Sequence, residues 1–441
     1  MLLLLIAAVA AYMNDSASSN ASTTSAASAD SAESGKASTS KAATAAAGKS
    51  GSSTKSTSAP STSSSAVSIS GASNASSSTA WIPVKKVRGV NLGSLFVFEP
   101  WMAGTSWKTL GCDGYDSEWQ CIEAVGLDKV QAGFENHWNT FYNATDFTAM
   151  ASVGLNLVRI PLGFWTVDAL IGDDYFPTGS WKYVKQVVGW AKDAGLYVIL
   201  DLHGAPGSQT TAQAFTGHTV DTAGFFTTDN FQRAVDCLTN WTTEVHTNDI
   251  FSTVVMLQVV NEPLQDTSKT GTMLSEFYPN ALKAVRDAEA ALGISCDDSS
   301  YACLGVQYMD KAWGGGDPTT DIDTTNHVVF DDHGYAQWIA TEQSRSGYLD
   351  YLCTTTRSTD MSPIIVGEWS LSAMEDQNDE FKLDSDGATA FYQQFAAAQL
   401  LSAEKGVGWI FWSWKTELGD PRWSYQEAVA ATFFPTDLDT I

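Results

Sequence analysis

From Trp81 to Ile441, short apolar runs rich in β-branched residues alternate with longer segments whose apolar residues recur at helical spacing. The runs are Lys86–Leu92, Leu157–Pro161, Tyr197–Leu202, Thr253–Val260, Leu304–Met309, Val328–Asp332, Ile364–Glu368 and Gly408–Trp414. Each is bounded by polar or turn-forming residues and reads as a strand buried on both faces. Helical patterns fall between most of them. Phe147, Met150 and Val153 precede Gly154, and Trp181, Val184, Val187, Val188 and Ala191 precede Gly195. Asn230–His246 and Ser275–Leu292 follow, and late in the chain Phe391, Phe395 and Ala398 share one face. Strand and helix in this alternation predict an α/β protein with a parallel sheet, and eight strand–helix units fit a single (β/α)8 TIM barrel over 81–441 better than an open sheet. The long stretches Glu99–Asn139 and His203–Asp229 read as loops after strands one and three, on the face where such a barrel carries its site.

The first eighty residues follow another pattern. Leu2–Ala11 is an unbroken apolar stretch, half the length of about 20 residues that a bilayer-spanning helix needs, so 1–13 reads as a cleaved secretory signal. Residues 14–80 are mostly Ser, Thr, Ala and Gly, with no aromatic side chain and almost no branched aliphatic one. Such a segment buries too little apolar area to offset its chain entropy, and is expected to be a disordered, O-glycosylated stalk. Export fits the Asn-x-Ser/Thr sites at Asn14, Asn20, Asn74, Asn143 and Asn240 and the six cysteines, which suit an oxidising compartment. Cys112 with Cys121 and Cys296 with Cys303 would close short loops. Cys237 and Cys353 would then form a long-range staple or remain as buried thiols.

Fifty acidic against 24 basic residues give a net charge of -26. Nucleic acid and anionic membrane surfaces are therefore excluded as partners, whereas a neutral polymer is acceptable. Sixteen tryptophans supply flat apolar faces on which sugar rings can stack.

Candidate chemistry gathers at the ends of the strands. The run Thr253–Pro263, TVVMLQVVNEP, closes on Asn261 and Glu262, where Pro263 cannot continue a ladder, and Pro363–Glu368, PIIVGE, closes on Glu368. The other ends carry Asn91, Arg159, His203, His333 with Tyr335, and Trp412 with Trp414. Taken singly, each has a structural explanation: an arginine paired to Asp201, hydrogen-bonded histidines, tryptophans in the core. In a closed parallel barrel all of them converge on one rim. Two glutamates facing each other there suit hydrolysis of a sugar acetal, which needs a proton donor for the departing oxygen and a carboxylate on the other side of the anomeric carbon. Glu262 is expected to be the acid/base. Glu368 is expected to be the nucleophile, kept ionised by Arg159 and a phenolic hydrogen bond from Tyr335. Asn261, His203 and His333 would orient sugar hydroxyls or carboxylates, and Trp414 would floor the subsite of the reacting sugar.

The chain resembles the retaining glycoside hydrolases of family five, and within them the fungal-type exo-β-1,3-glucanases. The likeness rests on RGVNLG (Arg88–Gly93), FEPW (Phe98–Trp101), LVRIPLGFW (Leu157–Trp165), DLHGAPGSQ (Asp201–Gln209), NEP (Asn261–Pro263), DDHGY (Asp331–Tyr335), GEWS (Gly367–Ser370) and FWSWKTE (Phe411–Glu417), in the expected order. It implies a (β/α)8 catalytic domain over 81–441, the roles just given for Glu262 and Glu368, and substrate contacts by Arg159, His203, Asn261, His333, Tyr335 and Trp414. Glu99 matches a glutamate that in the exo-glucanases grips the non-reducing terminal sugar. No metal or other cofactor is implied. Two departures bear on the leaving-group subsite: Ser94 and Leu95 stand where the exo-glucanases usually carry a tryptophan, and Thr210–Val220 reads TTAQAFTGHTV. Phe225 and Phe226 would supply an aromatic clamp there or pack in the core. The expected function is a secreted, monomeric glucan exo-1,3-β-glucosidase acting on β-1,3-glucan. The alternatives are an endo-acting or transglycosylating enzyme of the same family, or a catalytically silent wall-glycan binding protein.

Overall fold

The computed structural model describes residues 81–441 apart from 297–301, 326, 339–343, 355–360, 375–377, 436 and 441. The signal and stalk expected over 1–80 lie outside the described residues. Eight strands close into a barrel in sequence order, and every neighbouring pair is parallel. They are β1 (Val87–Asn91), β2 (Leu157–Gly163), β3 (Tyr197–Gly204), β4 (Val254–Gln258), β5 (Gly305–Met309), β6 (Val328–His333), β7 (Ile364–Glu368) and β8 (Gly408–Phe411). The fold is the (β/α)8 barrel that the alternation predicts.

Period two along each strand decides what fills the barrel. Val87, Leu157, Ile199, Met256, Val329, Ile365 and Ile410 meet inside as an apolar cluster, closed by Trp81 and Ile82. Two residues further along, the inward positions turn polar: Arg159, Asp201, Gln258, Gln307 and Asp331 are all fully buried. Buried polar groups are stabilised by bonding one another, and Arg159 does bond Gln258 and Asp201 beneath the rim, although the Gln307 side chain meets no partner among the described residues. The alternate positions, such as Val158, Leu200 and Leu257, face outward into the larger core under the helices.

Ten α-helices lie among the described residues: α1 (Gly104–Leu110), α2 (Glu118–Val125), α3 (Leu127–Thr140), α4 (Ala144–Ser152), α5 (Trp181–Asp193), α6 (Thr228–Thr247), α7 (Tyr278–Ala291), α8 (Arg345–Thr354), α9 (Ala388–Ala403) and α10 (Tyr425–Ala430). Helix α5 shows why they form: Val184, Val187, Val188 and Ala191, one stripe at i, i+3, i+4 and i+7, are buried. A capping box, in which Asn143 accepts from Thr145 N–H and Asp146 accepts from Asn143 N–H at 2.9 Å each, starts α4.

Three differences from the sequence expectation are local. The stretch after β1 read as a loop contains α1, α2 and α3. Strand β4 stops at Gln258, although Val259 N–H still donates to Gln307 O at 3.0 Å and Asn261 N–H to Leu202 O at 2.9 Å. Those bonds to opposite neighbours pin the chain as it leaves strand geometry. Cys112–Cys121 and Cys296–Cys303 are disulfides, but Cys237 and Cys353 are free and buried. The long-range staple therefore does not form. Cys237 is on α6, between β3 and β4, and Cys353 is on α8, between β6 and β7, so the strands β4 to β6 separate two thiols that would need Cα atoms within about 7 Å.

Candidate active site

Arg159, on β2, fixes the rim from below. Its Nε donates to Gln258 Oε1 at 2.8 Å, Nη1 to Asn91 Oδ1 at 2.9 Å and to Glu368 Oε1 at 2.8 Å, and Nη2 to Asn261 Oδ1 at 2.7 Å. Nη2 also lies 3.0 Å from Asp201 Oδ2. Burial alone would favour loss of its proton, but Asp201, Glu368 and Asp331 outweigh that and raise its pKa, so the guanidinium is a permanent charge.

Glu368, at the end of β7, is 4% exposed. Arg159 holds its Oε1, and the Tyr335 hydroxyl donates to its Oε2 at 2.7 Å. Charge-assisted bonds to both oxygens leave the carboxylate little rotational freedom. Burial, and then Glu368 itself, drives the Tyr335 hydroxyl well above the ordinary phenol range, so it stays a donor.

Glu262 lies beyond β4 with φ 39°, in the left-handed region that costs a side-chain-bearing residue strain. Its Oε1 is 2.5 Å from His333 Nδ1. His333 Nε2 is 3.2 Å from Asp331 Oδ2, and Nδ1 is 3.6 Å from Glu368 Oε2. Burial opposes a charge on this ring, yet Glu368 and Asp331, with the hydrogen bond to Glu262, push its pKa well above the ordinary imidazole value. His333 thus lies between the two glutamates, in a setting that favours the charged ring. One oxygen of Glu262 and one of Glu368 lie within 4.8 Å of each other, with His333 between them.

His203 Nδ1 is 2.7 Å from Asp201 Oδ2, its ring stacks against Trp412 with centroids 5.6 Å apart, and its buried Nε2 has no partner. Asn261 Nδ2 is likewise buried and unpaired. Both residues line the same cavity, so two unspent polar groups face the space where sugar hydroxyls would sit. Glu99 lines it as well. Its Oε2 accepts from Trp101 Nε1 at 2.8 Å and its Oε1 has no partner. Burial pushes its pKa up to about 7, against a smaller opposing pull from His203.

The cavity has a volume of about 940 Å3, near the upper end of the roughly 300–1,000 Å3 of ligand sites. It gathers Glu99, His203, Asn261, Glu262, His333, Tyr335 and Glu368 from the expected set, with Arg159 beneath them. Trp414 is the exception. Strand β8 ends at Phe411, so strict alternation does not carry through to position 414. There Nε1 donates to Asp146 Oδ1 at 3.1 Å and the ring stacks on Tyr425 in the outer core. Trp412 lines the cavity instead. Further aromatic walls were not legible beforehand: Trp101, Phe215, Trp313, Trp338 and Trp423 all line the cavity. They stand on connections between elements, where no periodicity assigns a direction. Thr210, Thr211 and Gln213 line it too, so the divergent 210–220 stretch does reach the site. Phe225 does not; it is fully buried and packs edge-to-face on Phe231 and Phe277.

Two facing carboxylates at the carboxyl-end rim of a parallel barrel are the arrangement that glycoside hydrolysis uses. Residues 123–418 match the model of Cellulase (glycosyl hydrolase family 5), and the chain belongs to that family. A probable glucan endo-1,6-beta-glucosidase B of Neosartorya fischeri is 45% identical over 358 residues, 81% of this chain and 88% of the relative. A probable glucan 1,3-beta-glucosidase A of Aspergillus niger is 31% identical over 387 residues, 79% of this chain and 87% of the relative. The crystal structure of a rutinosidase from Aspergillus niger shares the fold, with TM-score 0.62 and 19% identity, covering 79% of this chain and 98% of that one. The chain is a glycoside hydrolase of the fungal glucan-hydrolase type.

Proposed function

We propose that this protein hydrolyses a β-glucan by double displacement, with Glu368 as nucleophile and Glu262 as acid/base. The observation that carries the reading is that Glu262 and Glu368 line one cavity with an oxygen of each within 4.8 Å, close together as a double-displacement pair would be. In the first step Glu368 forms an ester bond to the anomeric carbon, the glycosidic C–O bond breaks, and Glu262 gives its proton to the departing oxygen. In the second, Glu262 takes a proton from water, the water oxygen attacks the same carbon, and Glu368 leaves. Two inversions return the original configuration. Arg159 and Tyr335 hold both oxygens of Glu368 and keep it aimed until it attacks. His203, Asn261 and Glu99 supply the contacts to sugar hydroxyls, and Trp412 takes the stacking role expected of Trp414.

For the linkage, the reading is internal cleavage of β-1,6-glucan, supported by 45% identity to the relative named for endo-1,6 activity against 31% to the one named for 1,3 activity. Glu99 favours a second reading, exo-acting β-1,3 hydrolysis, because it stands at the cavity with an unspent oxygen as a grip on a terminal sugar would require. The two disulfides fit an enzyme that works outside the cell. The test is incubation with pustulan, a linear β-1,6-glucan, and with laminarin, a β-1,3-glucan, following product length. Short oligosaccharides from pustulan and little from laminarin are expected. Glucose alone, from laminarin, would replace the first reading with the second.

A further inference from the structure

We propose that Asp331 is a positioning residue for the proton transfers of Glu262: it accepts the hydrogen bond of His333 Nε2–H and so keeps a second ring proton, on Nδ1, facing the Glu262 carboxyl. The inference rests on the reading of Glu262 as acid/base and adds to it a buried carboxylate outside the cavity lining.

Asp331 is fully buried on β6, two residues before His333, so period two places both side chains inside the barrel, one below the other. A carboxylate there is expensive; its Oδ2 meets His333 Nε2 at 3.2 Å and its charge acts on Arg159, while Oδ1 has no hydrogen-bond partner among the described residues. The neighbouring strand makes room for it. Gly367 precedes Glu368 on β7, and a Cβ at that position would overlap the Asp331 carboxylate. The glycine in GEWS therefore has a physical cause: the residue before the nucleophile must be bare for the acid behind the histidine to fit.

An ionised carboxylate only accepts hydrogen bonds, so a ring facing Asp331 with Nε2 must carry hydrogen there. A neutral ring would then present a bare Nδ1 to Glu262 and take up the proton that the acid should deliver. A ring protonated on both nitrogens donates to Glu262 instead. It stabilises the carboxylate left after the proton has gone to the leaving group. The other charged or titratable groups around the ring are Arg159 on β2, Glu262 after β4, Asp310 after β5, Asp332 on β6, Tyr335 after β6 and Glu368 on β7. Glu262 and Glu368 approach Nδ1, and Asp331 faces Nε2.

The test is the pH dependence of kcat/KM for Asp331→Asn, close to the native shape, on a β-glucan polymer and on an aryl β-glucoside whose leaving group needs no proton. Removing the anion behind the ring should move the alkaline limb on polymer down by about one pH unit or more. Loss on polymer should be at least tenfold, the aryl glucoside should be hit far less, and KM should be nearly unchanged because Asp331 does not line the cavity. An unmoved pH profile with equal losses on both substrates would overturn the proposal. Should the variant not fold, the ring nitrogens of wild-type His333 can be read by 15N NMR: protons on both between pH 5 and 8 are expected, and a bare Nε2 overturns it. Failure of the underlying reading looks different, because Glu262→Gln would then lose polymer and aryl-glucoside activity equally.

Discussion

At the residue scale, the role of Glu262 is separable from that of Glu368 by substrate. Glu262→Gln cannot protonate a leaving group, so turnover of glucan should fall by about 100-fold or more, while an aryl glucoside with a good leaving group should form the covalent intermediate at close to the native rate. Equal losses on both would contradict the assignment. The two tryptophans of FWSW give a second contrast. Trp412→Ala should raise KM with little loss of stability relative to its neighbour, because the ring lines the cavity beside His203. Trp414→Ala removes a core ring bonded to Asp146 and stacked on Tyr425, and should cost about 3–5 kcal/mol in denaturant unfolding. The glutamates could be found from sequence because each ends a buried apolar run, which leaves a carboxylate without a structural excuse. The choice between Trp412 and Trp414 could not, since alternation fixes direction only inside a strand and β8 ends at Phe411.

At the scale of elements, eight apolar runs located eight strands because a strand buried on both faces has no polar alternation to mislead the reader. The helices after β1 were hidden. Helix α1 is seven residues long, too short to display a stripe, and α2 and α3 meet directly at Gly126, the cap of both. The chain from β1 to α2 nevertheless holds Glu99 in place. Ser94 Oγ accepts from Glu99 N–H at 3.0 Å, His137 Nε2 meets Ser94 O at 2.7 Å, and Glu118 Oε1 accepts from Phe98 N–H at 2.9 Å. Burial pushes the Glu118 pKa up from 4.5 to about 8 and that of His137 down to about 4. A carboxyl with a raised folded-state pKa makes the unfolded chain bind fewer protons in between. Stability from this group is therefore full below about pH 4.5 and is lost as pH rises toward 8. The loss is at most about 1.4 kcal/mol per pH unit. Glu118→Gln keeps the acceptor for Phe98 and removes the titration. Urea unfolding at pH 5.5 and 7.5 should show a smaller stability difference in the variant than in the wild type; an identical difference would mean that Glu118 titrates at its ordinary pKa.

At the scale of the whole molecule, the barrel reconciles a net charge of -26 with a site built from carboxylates. Arg159 is a buried cation facing Asp201 and Glu368, and the His333 ring faces Asp331 and Glu262, so the acidic residues of the rim are offset from inside. Sequence showed the converging strand ends, and with them the reaction class. The linkage was beyond it, because the aromatic walls of the cavity, Trp101, Trp313, Trp338 and Trp423, all come from connections. The measurement that reaches the central claim most directly is incubation with an activated 2-deoxy-2-fluoro-β-glucoside, followed by mass spectrometry of the intact protein and its peptides. One fluoroglucosyl group esterified to Glu368, absent in Glu368→Ala, is the result expected of double displacement. Turnover of glucan with no label on Glu368, or a product first released in the inverted configuration, would contradict it.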